Sequence, residues 1–391
     1  MTQNINVGIV GFGWMGQVHA KALTRVLQHY RDLGATPRLV GVADVADDGR
    51  LDYAREVFGI SWTTPDWSEL VRRDDIDLVC VAGPNFTHRD VAVAAAKAGK
   101  HLWVEKPAGR NLGETQEIAD AIAAAGVASA VGFNYRNAPA VELARGLVAS
   151  GRIGEVRHVR VQMLGDYCAH PEGARTWRFV RELAGSGVVG DLASHGLDLA
   201  QYVVGPIAAV LAETSTFITR RPAAIGTASH FSRGADGPLL PVENEDHVLA
   251  MLRFASGAPG LLEASRASVG EQNSYGFEVH GSTGSLAWDF RSMGELQMCL
   301  DQDYQAASWT THRVGPNDGE AGAFQPDTAI PLSFDDLKVI EAKRLLASIV
   351  TGTPDGATIA DMVLAARLVD ATLRSAAEKR WITLGTGRPT P

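Results

Sequence analysis

The chain has 391 residues, 46% hydrophobic and 21% charged, which suits a globular protein of two domains with full cores. A net charge of −9 with no basic stripe argues against a nucleic-acid partner, because nothing is there to neutralise phosphates. Three scattered cysteines (Cys80, Cys168, Cys299) give neither a disulfide framework nor a zinc-ligand spacing, so no metal is expected and a reducing compartment, the cytoplasm, is.

No apolar run approaches the ~20 residues needed to span a bilayer, so no membrane partner is expected. The first strand is expected almost at once, at Ile5, which leaves no room for a secretory leader. Ile5 to Val10 (INVGIV) is followed by Gly11-Phe12-Gly13-Trp14-Met15-Gly16 and a helical pattern from about Met15 to Tyr30. A GxGxxG alone is a weak signal, since glycine-rich turns are common. Between a strand and a helix it is a strong one. Gly11 permits the tight turn, Gly13 lets backbone approach a pyrophosphate, and Gly16 lets helix and strand pack closely. The helix N-terminus supplies N–H donors, so Phe12, Trp14 and Met15 join the expected cofactor contacts.

The second strand, Arg38 to Ala43, ends in Asp44, and the loop His29 to Pro37 accounts for its late position after the glycines. A carboxylate here accepts from both adenosine ribose hydroxyls and repels a 2′-phosphate. No arginine follows directly; Arg50 is six positions on. NAD is therefore expected over NADP, with a merely capping aspartate as the plainer alternative.

A third strand, Asp77 to Ala82, runs into Gly83-Pro84-Asn85-Phe86-Thr87-His88 and an alanine-rich helix from about Arg89 to Ala98. Thr87 or Asn85 is the expected cap. Pro84 and Asn85 also sit where a loop at the carboxyl end of the sheet touches the nicotinamide half of a dinucleotide, and the sequence does not separate the two roles of Asn85. His101 to Val104 is a further short strand, ending in Glu105-Lys106-Pro107. Proline pushes the residue before it out of the helical region, so Lys106 is expected extended at the carboxyl end of its strand, where open α/β sheets bind ligands. A lysine there stabilises negative charge on a substrate oxygen. The alternative is a solvated lysine before a turn. A helix (Leu112 to Ala125) and a strand (Ala128 to Phe133) complete a doubly wound parallel sheet over residues 1–135.

Residues 136–391 read as a second, α+β domain for substrate and oligomerisation. A helix (Asn137 to Ser150) and hinge (Gly151 to Gly154) precede a half-buried strand, Val156 to Met163, and a loop, Tyr167 to Gly187, carrying Trp177-Arg178. Positions 191, 195, 198 and 202 then place Asp191, His195, Asp198 and Tyr202 on one helical stripe, with Leu192, Leu199 and Val203 on an apolar face beside it. Asp191 alone reads as a first-turn helix stabiliser and His195 alone as a core histidine; together they point at one polar cleft. From Ile207 on, strand-like runs at Ala208 to Ile218, His247 to Phe254, Gly260 to Arg266, Tyr275 to His280 and Ser285 to Phe290 imply a large, mostly antiparallel sheet with one open face. Two amphipathic helices, Asp335 to Val350 and Ile359 to Glu378, close the chain.

The motifs GFGWMGQVHA (Gly11 to Ala20), GPNFTHRDVAVAAAKAGKHLWVEKP (Gly83 to Pro107), GDLASHGLD (Gly190 to Asp198) and SYGFEVHGSTGSLAWD (Ser274 to Asp289) resemble the glucose–fructose oxidoreductase / inositol dehydrogenase / MocA family. GFNYRNAPAV (Gly132 to Val141) and TWRFVRELAGSGVVGD (Thr176 to Asp191) look most like its branch of levoglucosan and inositol dehydrogenases. One departure is Ala193, where many members have glycine; a methyl there narrows the pocket but removes no reacting group.

The resemblance implies an NAD-dependent dehydrogenase acting on a secondary hydroxyl of a sugar, anhydrosugar, glycoside or cyclitol. In it His195 is the base, Lys106 the oxyanion holder and Asp191 the group that orients them. Histidine suits that role because its unperturbed pKa lies near neutrality. It also implies cofactor contacts from His88, Glu105, Asn134 and a closing loop with Trp177 and Arg178, and substrate contacts from Asn134, Arg136 and Tyr167. Dimers or tetramers through the open sheet are implied too. Rival readings are an NAD-dependent glycosidase working by transient oxidation and elimination, and a non-catalytic sugar or dinucleotide sensor. The presence of Lys106, Asp191 and His195 argues against the sensor.

Overall fold

A computed structural model describes residues 2–226, 232–300 and 303–385. The chain divides into two compact units. One comprises Met1–Asn137, Glu182–Gly185 and Ser333–Leu364; the other comprises Ala138–Arg181, Ser186–Leu332 and Ala365–Pro391.

The first unit holds a six-stranded, wholly parallel sheet: β1 (Gln3–Val10), β2 (Ala35–Ala43), β3 (Trp62–Thr64), β4 (Leu78–Val81), β5 (His101–Val104) and β6 (Ser129–Val131), in the order β3-β2-β1-β4-β5-β6. At the centre of the sheet β4 is buried throughout, which is why it (LVCV) is a continuous apolar run without alternation. The order reverses between β1 and β4, the switch point at whose carboxyl edge such sheets bind ligands. The helices α1 (Trp14–His29), α2 (Arg50–Phe58), α3 (Trp67–Val71), α4 (Asn85–Lys97) and α5 (Leu112–Ala125) connect them.

Three details depart from expectation. β2 begins at Ala35, not Arg38, because Pro37 stands opposite Ile5 where β3 does not reach, so its missing N–H leaves no ladder bond unmade. α4 begins at Asn85, and its N-cap is Pro84 with no side-chain cap. Thr87 instead donates to the Pro84 carbonyl, and Asn85 Nδ2 donates to the Ala184 carbonyl at 3.0 Å. Neither proposed cap therefore acts as one.

In the second unit, α6 (Pro139–Ala149) and β7 (Val156–Leu164) come first, followed by the single turn α7 (Arg181–Ala184), of which Arg181 lies in this unit. The third departure follows: Val189–Ala193 is a π-helical turn, and only Ser194–Val204 (α8) is α-helical. Asp191 is thus out of α-helical phase with His195, Asp198 and Tyr202, and the four do not form one regular stripe. Gly196 brings α8 down onto the sheet: a Cβ there would stand 3.0 Å from Val161, Met163 and Leu262 side chains.

The remaining strands are β8 (Ile207–Ser215), the ribbon β9 (Arg220–Arg221) with β10 (Leu240–Pro241), then β11 (His247–Phe254), β12 (Pro259–Ser265), β13 (Ser274–Gly281), β14 (Ser285–Asp289), β15 (Glu295–Cys299), β16 (Thr310–Arg313) and β17 (Ile382–Thr383). Eight of them join β7 in one nine-stranded sheet, β16-β15-β14-β13-β7-β12-β11-β8-β17, antiparallel except where β7 pairs with β12. β11 alternates cleanly. Val248, Ala250, Leu252 and Phe254 are buried, whereas Leu249 and Met251, with Leu261 of β12, lie exposed on the other face. Helices α9 (Phe334–Thr351) and α10 (Ile359–Glu378) follow β16; α9 starts in a Ser333/Asp336 capping box and packs on α1 in the first unit.

Candidate active site

The glycine turn has the stereochemistry a dinucleotide loop needs. Gly11 has φ +87°, and a Cβ on it would stand 2.4 Å from the Gly83 nitrogen. A Cβ on Gly16 would stand 2.0 Å from the Gly11 carbonyl oxygen, so α1 packs against the turn only because Gly16 has no side chain. Gly13 differs: apart from Arg50 Nη1 at 3.7 Å, its Cβ direction is open, which leaves room for a ligand against the backbone. Gly13 is also the N-cap of α1 and provides no side-chain cap, so the first N–H groups of that helix remain for a ligand. The Trp14 ring stacks on Phe334 at 5.3 Å, away from any role in capping. Asp44 follows β2 immediately; its carboxylate accepts from Phe12 N at 2.6 Å and Ala46 N at 2.8 Å, and pairs with Arg50 at 3.1 Å. These residues fit a dinucleotide's pyrophosphate and ribose.

Lys106 lies two residues beyond the end of β5, in a bend, and its backbone N–H donates to Glu105 Oε2 at 3.3 Å. The Glu105 carboxylate is buried. His19 Nε2 lies 2.9 Å and Lys338 Nζ 2.6 Å from its Oε1. Lys338 also pairs with Glu341 at 3.0 Å, and Glu341 accepts from Trp103 Nε1 at 2.5 Å. The His19 ring stacks on Trp103 at 3.8 Å. Gly132 is glycine because a Cβ would stand 2.3 Å from Glu105. Glu105 thus anchors the stretch that carries Lys106.

His88, buried, sets Nδ1 2.9 Å from the Pro107 carbonyl and Nε2 2.8 Å from the Gly83 carbonyl, bracing the loops after β5 and β4. Burial pushes its pKa down, so the ring is neutral at pH 7 and its one N–H donates to one of the two. Beside β6, a 3₁₀ turn (Asn134–Asn137) buries Asn134, whose Nδ2 has no partner among the described residues, a donor in need of an acceptor. Arg136 from the same turn pairs with Asp361 at 3.0 Å and lies against the Phe133 ring.

In the second unit, Asp191 Oδ2 accepts from Tyr167 OH at 2.7 Å and has Arg178 Nη1 at 3.7 Å; Arg178 in turn lies over the Trp177 ring at 4.5 Å. Tyr167, Trp177, Arg178 and Asp191 are therefore one cluster. Burial, with Asp191 beside it, raises the Tyr167 pKa well above its ordinary value, so the phenol keeps its proton and acts as donor. His195 and Asp198 are buried on α8, and the methyl of Ala193 is wholly buried. The loop is held in place: Asn244 Nδ2 donates to the Arg178 carbonyl at 2.8 Å, and Arg221 donates to carbonyls of Cys168 and His170.

Sequence reasoning missed Lys338 and Glu341, which come from the far end of the chain. The available signal was two charges within the buried face of α9, beside Leu337 and Ile340. It also missed Asp48, which grips Arg50 through Nε at 2.7 Å. No group of three or more metal-ligating side chains occurs among the described residues. No helix among them is long and apolar enough to cross a membrane.

Comparison with known proteins gives the same assignment for both units. Residues 5–133 match the oxidoreductase family model with an NAD-binding Rossmann fold, and residues 141–287 match the GFO/IDH/MocA C-terminal domain. The chain is 36% identical over 383 residues to levoglucosan dehydrogenase of Pseudarthrobacter phenanthrenivorans, covering 97% of this chain and 98% of that protein. It is 27% identical over 290 residues to myo-inositol 2-dehydrogenase of Thermotoga maritima, covering 73% and 75%. A solved levoglucosan dehydrogenase in complex with NADH and levoglucosan superposes with a TM-score of 0.90 at 34% identity, covering 97% of this chain and 99% of that one. The chain belongs to the GFO/IDH/MocA family of oxidoreductases.

Proposed function

We propose that the chain is an NAD-dependent dehydrogenase that oxidises a secondary hydroxyl of a sugar, anhydrosugar, glycoside or cyclitol in the cytoplasm. One observation carries this reading: nearly the whole chain is like a levoglucosan dehydrogenase whose solved form holds NADH and its sugar, and Lys106, Asp191 and His195 are all present here. NAD, when bound, accepts the hydride from the carbon being oxidised. The turn Gly11–Gly16 and the bare N-terminus of α1 hold its pyrophosphate, Asp44 takes the ribose hydroxyls and disfavours a 2′-phosphate, and Pro84 and Asn85 border the nicotinamide half. Asn134 offers its unpartnered amide N–H, and Trp177 with Arg178 closes over the cofactor. Glu105 and His88 act from beneath, by bracing the loops.

On the substrate, His195 takes the hydroxyl proton, the Lys106 ammonium holds the oxyanion that develops, and Asp191 orients the hydroxyl or the imidazole. Tyr167 fixes Asp191 through its 2.7 Å hydrogen bond, while Asn134 and Arg136 border neighbouring hydroxyls. The open sheet face with Leu249, Met251 and Leu261 joins copies into a homodimer or homotetramer.

The test is a panel of inositols, aldoses, anhydrosugars and glycosides with NAD⁺ and NADP⁺, following both reduced cofactor and freed sugar. Net NADH from a polyol or sugar is the expected result. Aglycone release without net NADH points to the glycosidase, and cofactor binding with no turnover on any class points to a sensor; either overturns the proposal. His195→Ala should lower turnover by about 10²–10⁴-fold while NADH still binds. Unchanged turnover removes His195 as base.

A further inference from the structure

Arg50 lies beside the glycine turn, its Nη1 3.7 Å from where a Cβ on Gly13 would stand, and its hydrogen bonds are unevenly shared. Asp48 holds it by two nitrogens, Nε to Oδ1 at 2.7 Å and Nη2 to Oδ2. Asp44 holds it by one, Nη1 to Oδ2 at 3.1 Å. The side chains are not equally sheltered: Asp44 is 7% exposed, Arg50 23% and Asp48 33%. Beside them lies a cavity of about 390 Å³, lined by Arg50 and Asp48 with Gly13, Trp14, Gln17 and Tyr53 but not by Asp44, with space for a phosphate.

An ionised carboxylate offers roughly four acceptor positions. On Asp44, Phe12 N and Arg50 Nη1 take the two on Oδ2, and Ala46 N takes one on Oδ1. Two ribose hydroxyls need two positions, of which one is open. The backbone donors are fixed by the turn, so the second position comes from Nη1 letting go. Arg50 can do so at small cost, because Asp48 keeps it neutralised through its other two nitrogens.

We propose that Asp48 is a specificity residue: it parks Arg50, freeing Asp44 for a ribose diol while keeping this guanidinium from a 2′-phosphate. This rests on the cofactor reading above. With Asp48 present, Arg50 and its two carboxylates sum to one negative charge beside the cavity, which opposes a phosphate carrying nearly two. Neutralising Asp48 brings that sum to zero and releases a planar, bidentate phosphate donor into the cavity. The plainer role for Asp48 is local, as an aspartate at the start of α2, and that role does not depend on which dinucleotide binds.

The test is the ratio of NADPH to NADH affinity, measured by fluorescence titration of the full chain for the parent, Asp48→Asn, and Asp48→Asn with Arg50→Gln. The expected result is a ratio about tenfold higher in Asp48→Asn, returning towards the parent's when Arg50 is also replaced. A ratio unmoved by Asp48→Asn while NADH still binds overturns the lock and leaves the NAD reading standing. A gain that survives loss of Arg50 also overturns it, since the guanidinium would not be what was released. A parent that binds neither dinucleotide takes down both the lock and the cofactor assignment.

Discussion

Beneath Lys106, the first unit buries two carboxylates, Glu105 and Glu341, around one ammonium, Lys338. Beneath the loop with Trp177 and Arg178, the second buries two guanidiniums, Arg221 and Arg266, the latter paired with Asp246. Both clusters fix a stretch that carries candidate site residues, but by different means. In the first, charge balance decides the state. Burial alone would raise both carboxylates, yet the ammonium and His19 pull Glu105 far below the ordinary range, while burial leaves Glu341 at about 7. One ammonium supports one carboxylate, and the other holds a proton near neutrality. In the second, arginines that stay charged make directed bonds. Arg221 donates to the Cys168 and His170 carbonyls, Arg266 to Asp246 and Asn244, and both guanidiniums lie against Phe179 at 4.4 and 4.7 Å. A cluster set by charge responds to pH; one set by geometry responds to shape.

The largest effect expected of that contrast is Lys338→Met. It leaves the Glu105 carboxylate buried without its cation, which costs about 3–5 kcal/mol of stability in urea unfolding at pH 7. A loss below about 1 kcal/mol would mean that Glu105 takes up a proton at no cost, and charge balance would not be what holds the cluster.

Next in size is pH. His19 is wholly buried, and burial pulls its pKa from 6.5 to about 4. The unfolded chain therefore binds a proton that the folded chain refuses, so its contribution is lost as pH falls from 6.5 towards 4, up to about 3 kcal/mol. Glu341 has the opposite sign. Its pKa is raised from 4.5 to about 7, so folding favours the protonated form, and stability is lost as pH rises through that window. Relative to the parent, His19→Gln should lose less on acidification, and Glu341→Gln should lose less on going from pH 4.5 to 7. Urea midpoints across pH 4–7.5 that run parallel for all three proteins would refute the assignment.

What the sequence made legible follows from the same physics. Buried parallel strands such as β4 and β5 are unbroken apolar runs, and a glycine turn or an Lys-Pro step is local chemistry, so both could be placed by inspection. Asp44 and Lys106 could be placed near the ends of their strands for that reason. The three-residue β3 and the five-residue α3 are too short for a periodic signal to emerge. The π turn at Val189–Ala193 was hidden because its residues also fit an α-helical pattern, and only the hydrogen bonds distinguish the two. Lys338 lies 233 positions from the carboxylate it serves, and no spacing rule links residues that only the fold brings together.

The smallest effect is Arg221→Lys, which keeps the charge and changes the shape. Arg221 reaches three carbonyls with two nitrogens, Nη1 to His170 and Gly173 and Nη2 to Cys168, and lays a flat guanidinium against Phe179; an ammonium on a flexible stem keeps part of the first and loses the second. A lost carbonyl bond and a weakened ring contact together cost about 1–2 kcal/mol. That is less than removing Lys338, because no charge is left unpaired, but more than a substitution on the surface. Hydrogen exchange localises the loss: the amides of 168–176 should lose protection while those around β5 keep theirs. If stability and exchange match the parent, any cation suffices at this position. The directed bonds would then be incidental, and the difference between the two clusters would reduce to how many carboxylates each one holds.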